Sequence, residues 1–182
     1  MAKVVIFLAN GFEEVEAITP ADYLRRAAVD VVLAGVGTLT PIGARGIRIN
    51  ADINVEELSG VFDGVVLPGG MPGSENLAAS EDVAGLCRSV MDNGGLVGSI
   101  CAAPAVALGT FGLLKGRDYT CYPGFEKRVS DGNFLEKRIV TDGNLITSRG
   151  AGTAGEFSIA LIRYLAGDMA AESVAKAVLL YP

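Results

Sequence analysis

Short apolar runs of strand length alternate along this chain with longer stretches in which apolar residues recur every three or four positions. Residues 3–8, 30–34, 62–67 and 95–100 read as strands buried on both faces, because a strand with one wet face would alternate polar and apolar positions. Between them, residues 13–28 place Val15, Ile18, Ala21, Leu24 and Ala28 on one helical stripe, and residues 80–93 predict a second helix. Pro20 leaves that first boundary open, since Thr19 is a natural cap for a helix starting at the proline. Residues 38–50, with Gly43, Gly46 and alternating isoleucines, predict a small hairpin, and residues 138–148 a second one turning at Asp142-Gly143-Asn144. Helices over residues 153–166 and 170–179 close the pattern. The alternation predicts parallel βαβ units: an α/β fold with a mostly parallel central sheet, in one domain over residues 1–182.

Residues 93–114 carry no charge, which suggests a membrane span until the interruptions are counted. Gly94, Gly95, Gly98, Pro104, Gly109 and Gly112 break the run, so a buried strand, a sharp turn and a buried helix are expected instead. The apolar run before Glu13, Glu14 and Glu16 is shorter than a secretory core and lacks a cleavage site, so no leader is expected. A net charge of −6 presents no electrostatic footprint for a nucleic-acid backbone or an anionic membrane. The 182 residues include no histidine, which excludes Ser-His-Asp and Cys–His hydrolysis, His-containing zinc sites and phosphohistidine chemistry. Cys87, Cys101 and Cys121 form no CxxC pair, so neither a zinc site nor a thioredoxin motif is expected, and a reducing cytoplasm is the natural setting.

The strongest chemical signal is Leu96-Val97-Gly98-Ser99-Ile100-Cys101-Ala102-Ala103-Pro104. A buried strand runs straight into Cys101, with small residues two positions away on either side, as in a nucleophile elbow. A helix following the turn would aim free N–H groups at the sulfur and favour the thiolate. A buried core cysteine satisfies the same local pattern, and both readings stand at this level. The segment Leu67-Pro68-Gly69-Gly70 ends a strand in a glycine loop, on the same carboxyl edge of a parallel sheet as Cys101. Its Gly70 N–H together with that of Ala102 would make a pocket for an oxyanion or sulfinate. Glu13, Glu14 and Glu16 follow the first strand on that edge too. Two of them serve simply to favour the helix dipole; the third would have to be largely protonated to sit beside a thiolate. Sequence physics does not choose among the three.

In this order, these features closely resemble the ThiJ/PfpI superfamily, and within it the DJ-one branch of parkinsonism-associated deglycases. The likeness rests on Gly11-Phe12-Glu13-Glu14-Val15-Glu16, Pro20-Ala21-Asp22, Arg25-Arg26-Ala27, Leu67-Pro68-Gly69-Gly70, Ile100-Cys101-Ala102 and Thr147-Ser148-Arg149-Gly150-Ala151-Gly152-Thr153. It implies a flavodoxin-like three-layer sandwich and a homodimer. It also implies that Cys101 is the reactive, oxidisable cysteine, that Glu16 is the glutamate beside it, and that the Gly69-Gly70 loop and Ala102 contact what binds there. Arg45 matches a family arginine near the site and the dimer interface, and Arg26 another. Members are described as glutathione-independent glyoxalases acting on methylglyoxal, deglycases of glycated proteins, oxidative-stress sensors and chaperones, with no cofactor or metal. One departure stands out: where many members carry a histidine before a proline, this chain has Tyr122 before Pro123. Two functions are then expected. In the first, Cys101 and Glu16 process methylglyoxal or early glycation adducts. In the second, Cys101 is a redox switch that is oxidised to the sulfinic acid.

Overall fold

The computed structural model describes residues 1–180. At its centre, strands β1 (Lys3–Ala9), β2 (Asp30–Val36), β3 (Ile53–Asn54), β4 (Gly64–Leu67), β5 (Leu96–Ile100), β8 (Ile139–Asp142) and β9 (Leu145–Ser148) form one sheet in the order β3-β2-β1-β4-β5-β9-β8. Every pairing is parallel except β8 with β9, the hairpin predicted from Asp142-Gly143-Asn144. Two further short strands, β6 (Asp118–Tyr119) and β7 (Asn133–Phe134), pair separately.

Helices cover both faces, which is why β1, β4 and β5 are apolar almost throughout. Val5, Phe7, Val65 and Leu67 pack into one core layer, with Val83 and Cys87 of α3 (Glu81–Asp92) and Leu108. Ile6, Leu8 and Val66 point the other way. They meet Leu24 of α1 (Glu14–Arg26), Phe157 and Leu161 of α4 (Ala154–Ala166) and Val174 of α5 (Asp168–Ala177). The result is the expected sheet sandwiched between two helical layers. Each fully buried Leu, Ile or Phe contributes about 1.5–3 kcal/mol by leaving water. The Ser80 side chain accepts the Val83 N–H and so caps α3 where the second predicted helix starts.

Locally, one open boundary is decided, one expectation changes and one unforeseen element appears. Helix α1 starts at Glu14, close to where the 13–28 stripe places it, and runs through Pro20. The proline therefore deprives the Glu16 carbonyl of its partner four residues on, and burial of Ala17, Pro20, Ala21 and Leu24 holds the helix together instead. The hairpin over residues 38–50 reduces to a single antiparallel bridge, Ile42 with Arg48. A six-residue helix, α2 (Gly73–Ala78), comes after the glycine loop, too short to show a period of its own.

The chain leaves β1 toward β2 on one side and later returns to β4 on the other. The carboxyl ends of β1 and β4 consequently part, and the segments after β1, β4 and β5 meet in the crevice, the usual binding place in an open parallel sheet. No helix among the described residues is long and apolar enough to cross a membrane.

Candidate active site at the Cys101 turn

The chain turns at Cys101 with φ of +66°, a left-handed conformation uncommon for a residue with a side chain. Burial of β5, the Cys101 N–H donated to the Ser148 carbonyl at 2.9 Å and the Tyr122 N–H donated to the Cys101 carbonyl at 2.7 Å hold it there. Beyond the turn the chain is helical over residues 103–110, with Pro104–Leu108 wound as a π-helix. Pro104, near its start, lacks an N–H, which removes one of the free donors expected at that end.

Gly69 lies between Cys101 and Glu16. Its N–H donates to Glu16 Oε2 at 2.9 Å, and its carbonyl accepts the Glu13 N–H at 2.9 Å. A Cβ at this position would stand 2.5 Å from Cys101 Cβ and 2.6 Å from Glu16 Oε2. Its N–H is thus committed to the carboxyl, whereas the Gly70 and Ala102 N–H groups are the two that reach the sulfur. Gly70, at φ of +88°, would clash with the Gly11 carbonyl and Glu13 N–H if it bore a side chain.

Glu16 is completely buried, and its Oε1 has no hydrogen-bond partner among the described residues. Burial raises its pKa to about 7, against the pull of hydrogen bonds from Cys101 and Gly69. Cys101 is pushed up to about 12, first by burial and then by the Glu16 charge and hydrogen bond, with the Gly70 and Ala102 N–H groups pulling it back down. The expected bias toward a free-standing thiolate is therefore outweighed. The two titrations are coupled, and an ionised Glu16 keeps the thiol protonated.

The other two glutamates do more than favour a dipole. Glu14 is buried, and its Oε1 accepts the N–H groups of Arg45 at 2.8 Å and Ile47 at 3.2 Å, which pins the 43–47 loop over the crevice. Glu13 pairs with Arg45 at 3.4 Å. Glu13 and Arg45 line a cavity of about 430 Å³ above Cys101, shared with Glu16, Gly70 and Ala102. Arg26 does not join them; it pairs with Asp22 at 2.7 Å on the half-exposed face of α1. Met71, Tyr122, Phe125 and Ala151 complete the cavity wall. Sequence reasoning misses Met71 and Phe125, and the one available signal is Phe125 three residues after Tyr122 across Pro123-Gly124.

Cys87 and Cys121 are buried, and burial raises both thiols. No cluster of His, Cys, Asp or Glu suited to a metal occurs among the described residues.

A family model described as the DJ-1/PfpI family matches residues 2–164. Protein DJ-1 homolog A of Arabidopsis thaliana is 40% identical over 183 residues, a match covering 98% of this chain but 47% of that protein, so the chain spans about half its length. A Caenorhabditis elegans protein named glutathione-independent glyoxalase DJR-1.2 is 34% identical over 167 residues, covering 90% of this chain and 88% of that one. The crystal structure of Drosophila melanogaster DJ-1beta superposes with a TM-score of 0.95 at 39% identity, covering 100% of this chain and 99% of that one. With a family model and an overall fold that match over nearly its whole length, the chain belongs to the DJ-1/PfpI family.

Proposed function

We propose that this chain is a cysteine-dependent glyoxalase, with deglycase action on early glycation adducts as the variant of the same chemistry. The observation that carries this reading is the Cys101–Glu16 pair: a fully buried carboxyl and a partly exposed thiol that line one cavity, with Gly69 packed between them. The name of the Caenorhabditis elegans relative supports it.

In this scheme the Cys101 sulfur attacks the aldehyde carbon of methylglyoxal while its proton passes to Glu16. Protonated Glu16 then donates to the developing oxyanion, which the Gly70 and Ala102 N–H groups stabilise. Hydrogen moves from the aldehyde carbon to the ketone carbon, with Glu16 giving and recovering a proton. Water then cleaves the thioester to lactate. A group with a pKa of about 7 suits this two-way transfer at neutral pH, which offsets the missing histidine. Arg45, which pairs with Glu13 and lines the cavity, would meet the carboxylate of the product.

Lactate formed from methylglyoxal without glutathione, by the native chain, Cys101→Ser and Glu16→Gln, tests the reading. Turnover that needs both residues supports it, and turnover unchanged in Cys101→Ser contradicts it.

A second reading is favoured by one observation: Cys101 is the partly exposed member of the three cysteines and has two backbone N–H donors at its sulfur. On this reading it is a redox switch whose sulfinate those donors and protonated Glu16 hold.

A homodimer in the cytoplasm is the assembly and setting proposed with either reading. Val15 and Ile18 of α1, with Leu39, Ile42 and Ile47 of the neighbouring loop, are large apolar side chains left exposed, and they give a second copy a surface to cover.

A further inference from the structure

The cavity above Cys101 is lined by two unlike sets of side chains. Glu13, Glu16 and Arg45 are charged or ionisable; Met71, Tyr122, Phe125 and Ala151 are apolar or aromatic. Tyr122 and Phe125 meet edge to face, ring centroids 6.3 Å apart and planes at 80°, a geometry aromatic pairs prefer. Tyr122 is anchored through its N–H to the Cys101 carbonyl at 2.7 Å. Its ring lies over Gly150, where a Cβ would sit 3.5 Å away. Tyr122 nevertheless keeps 50% of its surface exposed and Met71 37%. Large apolar side chains held in place but left wet beside a reactive group are the makings of a binding wall. The cavity, about 430 Å³, is several times what a three-carbon dicarbonyl fills.

Building on the glyoxalase reading, we propose that Tyr122 and Phe125 are a specificity platform, and that the preferred substrates are 1,2-dicarbonyls bearing an aryl group on the ketone carbon. The aldehyde carbon meets Cys101, and the ring lies against the aromatic pair. The steps balance within the substrate. A C–S bond forms at the aldehyde carbon as the thiol proton passes to Glu16. Hydrogen then leaves that carbon, which is oxidised, for the ketone carbon, which is reduced. Water breaks the C–S bond of the thioester, releasing an aryl 2-hydroxy acid and restoring the thiol. No outside oxidant or reductant enters.

Initial-rate kcat/KM for phenylglyoxal and for methylglyoxal gives a ratio for the native chain, Tyr122→Ala, Phe125→Leu and Tyr122→Phe. The native ratio should favour phenylglyoxal by about tenfold, fall by about tenfold in Tyr122→Ala, fall less in Phe125→Leu, and hold in Tyr122→Phe. A native ratio near one, or one that Tyr122→Ala does not move, overturns the platform and leaves the glyoxalase reading intact. Turnover of neither compound overturns the glyoxalase reading, and the platform is then decided by binding. Phenylglyoxal should protect Cys101 from iodoacetamide at about a tenth of the methylglyoxal concentration, and equal protection overturns it.

Discussion

Gly69 donates its N–H to Glu16 Oε2 at 2.9 Å from a position where a Cβ would stand 2.5 Å from that of Cys101. Thiol and carboxyl are kept adjacent by a residue that has no side chain. The glycine loop after β4 is therefore part of the reactive pair's support as well as a wall of the cavity.

Gly69→Ala should accordingly cost more than a glycine replacement usually does. The added methyl meets Cys101, Glu16 and the Ile100 carbonyl at once, with contacts of 2.5, 2.6 and 2.9 Å. Overpacking of this kind costs about 1–3 kcal/mol. Urea denaturation should show that loss, and lactate formation should fall at least tenfold because the pair is pushed apart. A variant of native stability and turnover would show that the site relaxes freely.

Glu16 makes stability depend on pH in a direction opposite to that of a salt-bridged carboxylate. Its pKa is raised from 4.5 to about 7, so between those values the folded chain keeps a proton that the unfolded chain releases. Stability from this group is full below about pH 4.5 and is lost as pH rises through about 7, a change of about 3 kcal/mol at most. Urea midpoints from pH 5 to 8 should fall in the native chain relative to Glu16→Gln. Parallel profiles would contradict the buried, proton-holding Glu16.

Glu14 is a structural counterpart of Glu16, two residues away and engaged differently. Its Oε1 accepts two loop N–H groups, while Oε2 is buried without a hydrogen-bond partner among the described residues. Glu14→Ala should release residues 43–47, seen as faster amide exchange at Arg45 and Ile47, and should cost about 1–3 kcal/mol. Unchanged exchange at both amides would mean that the loop holds itself.

Among the thiols, dilute peroxide should add oxygen to Cys101 well before Cys87 or Cys121, because those two are buried. Peptide mass spectrometry over a peroxide time course reads this directly. Equal oxidation of all three would count against the switch reading.

The strands that build the sheet are legible because burial on both faces writes itself as an unbroken apolar run, as in Val4–Ala9 of β1. The turn at Cys101 is legible for a related reason: small residues crowd a place where backbones converge. The two-residue strands β3, β6 and β7 and the six-residue helix α2 leave no signal because they are too short to show the periods that reveal strands and helices. Pro20 leaves the start of α1 open in the sequence, and the packing of Ala17, Ala21 and Leu24 decides it for the longer helix by outweighing one lost hydrogen bond. The division of labour among Glu13, Glu14 and Glu16 is invisible locally. It depends on which loop lies over each carboxyl: Gly69 over Glu16, and residues 43–47 over Glu14.

The central claim is that Cys101 and Glu16 share one proton and work as a unit on a dicarbonyl. The pH profile of kcat/KM for lactate formation from methylglyoxal, in the native chain and in Glu16→Gln, tests this most directly. The account predicts a native rate that rises through about pH 7, as the pair loses its first proton, and a rise that disappears or moves strongly alkaline in Glu16→Gln. Identical profiles in the two proteins, or no turnover above the buffer blank at any pH, would contradict it.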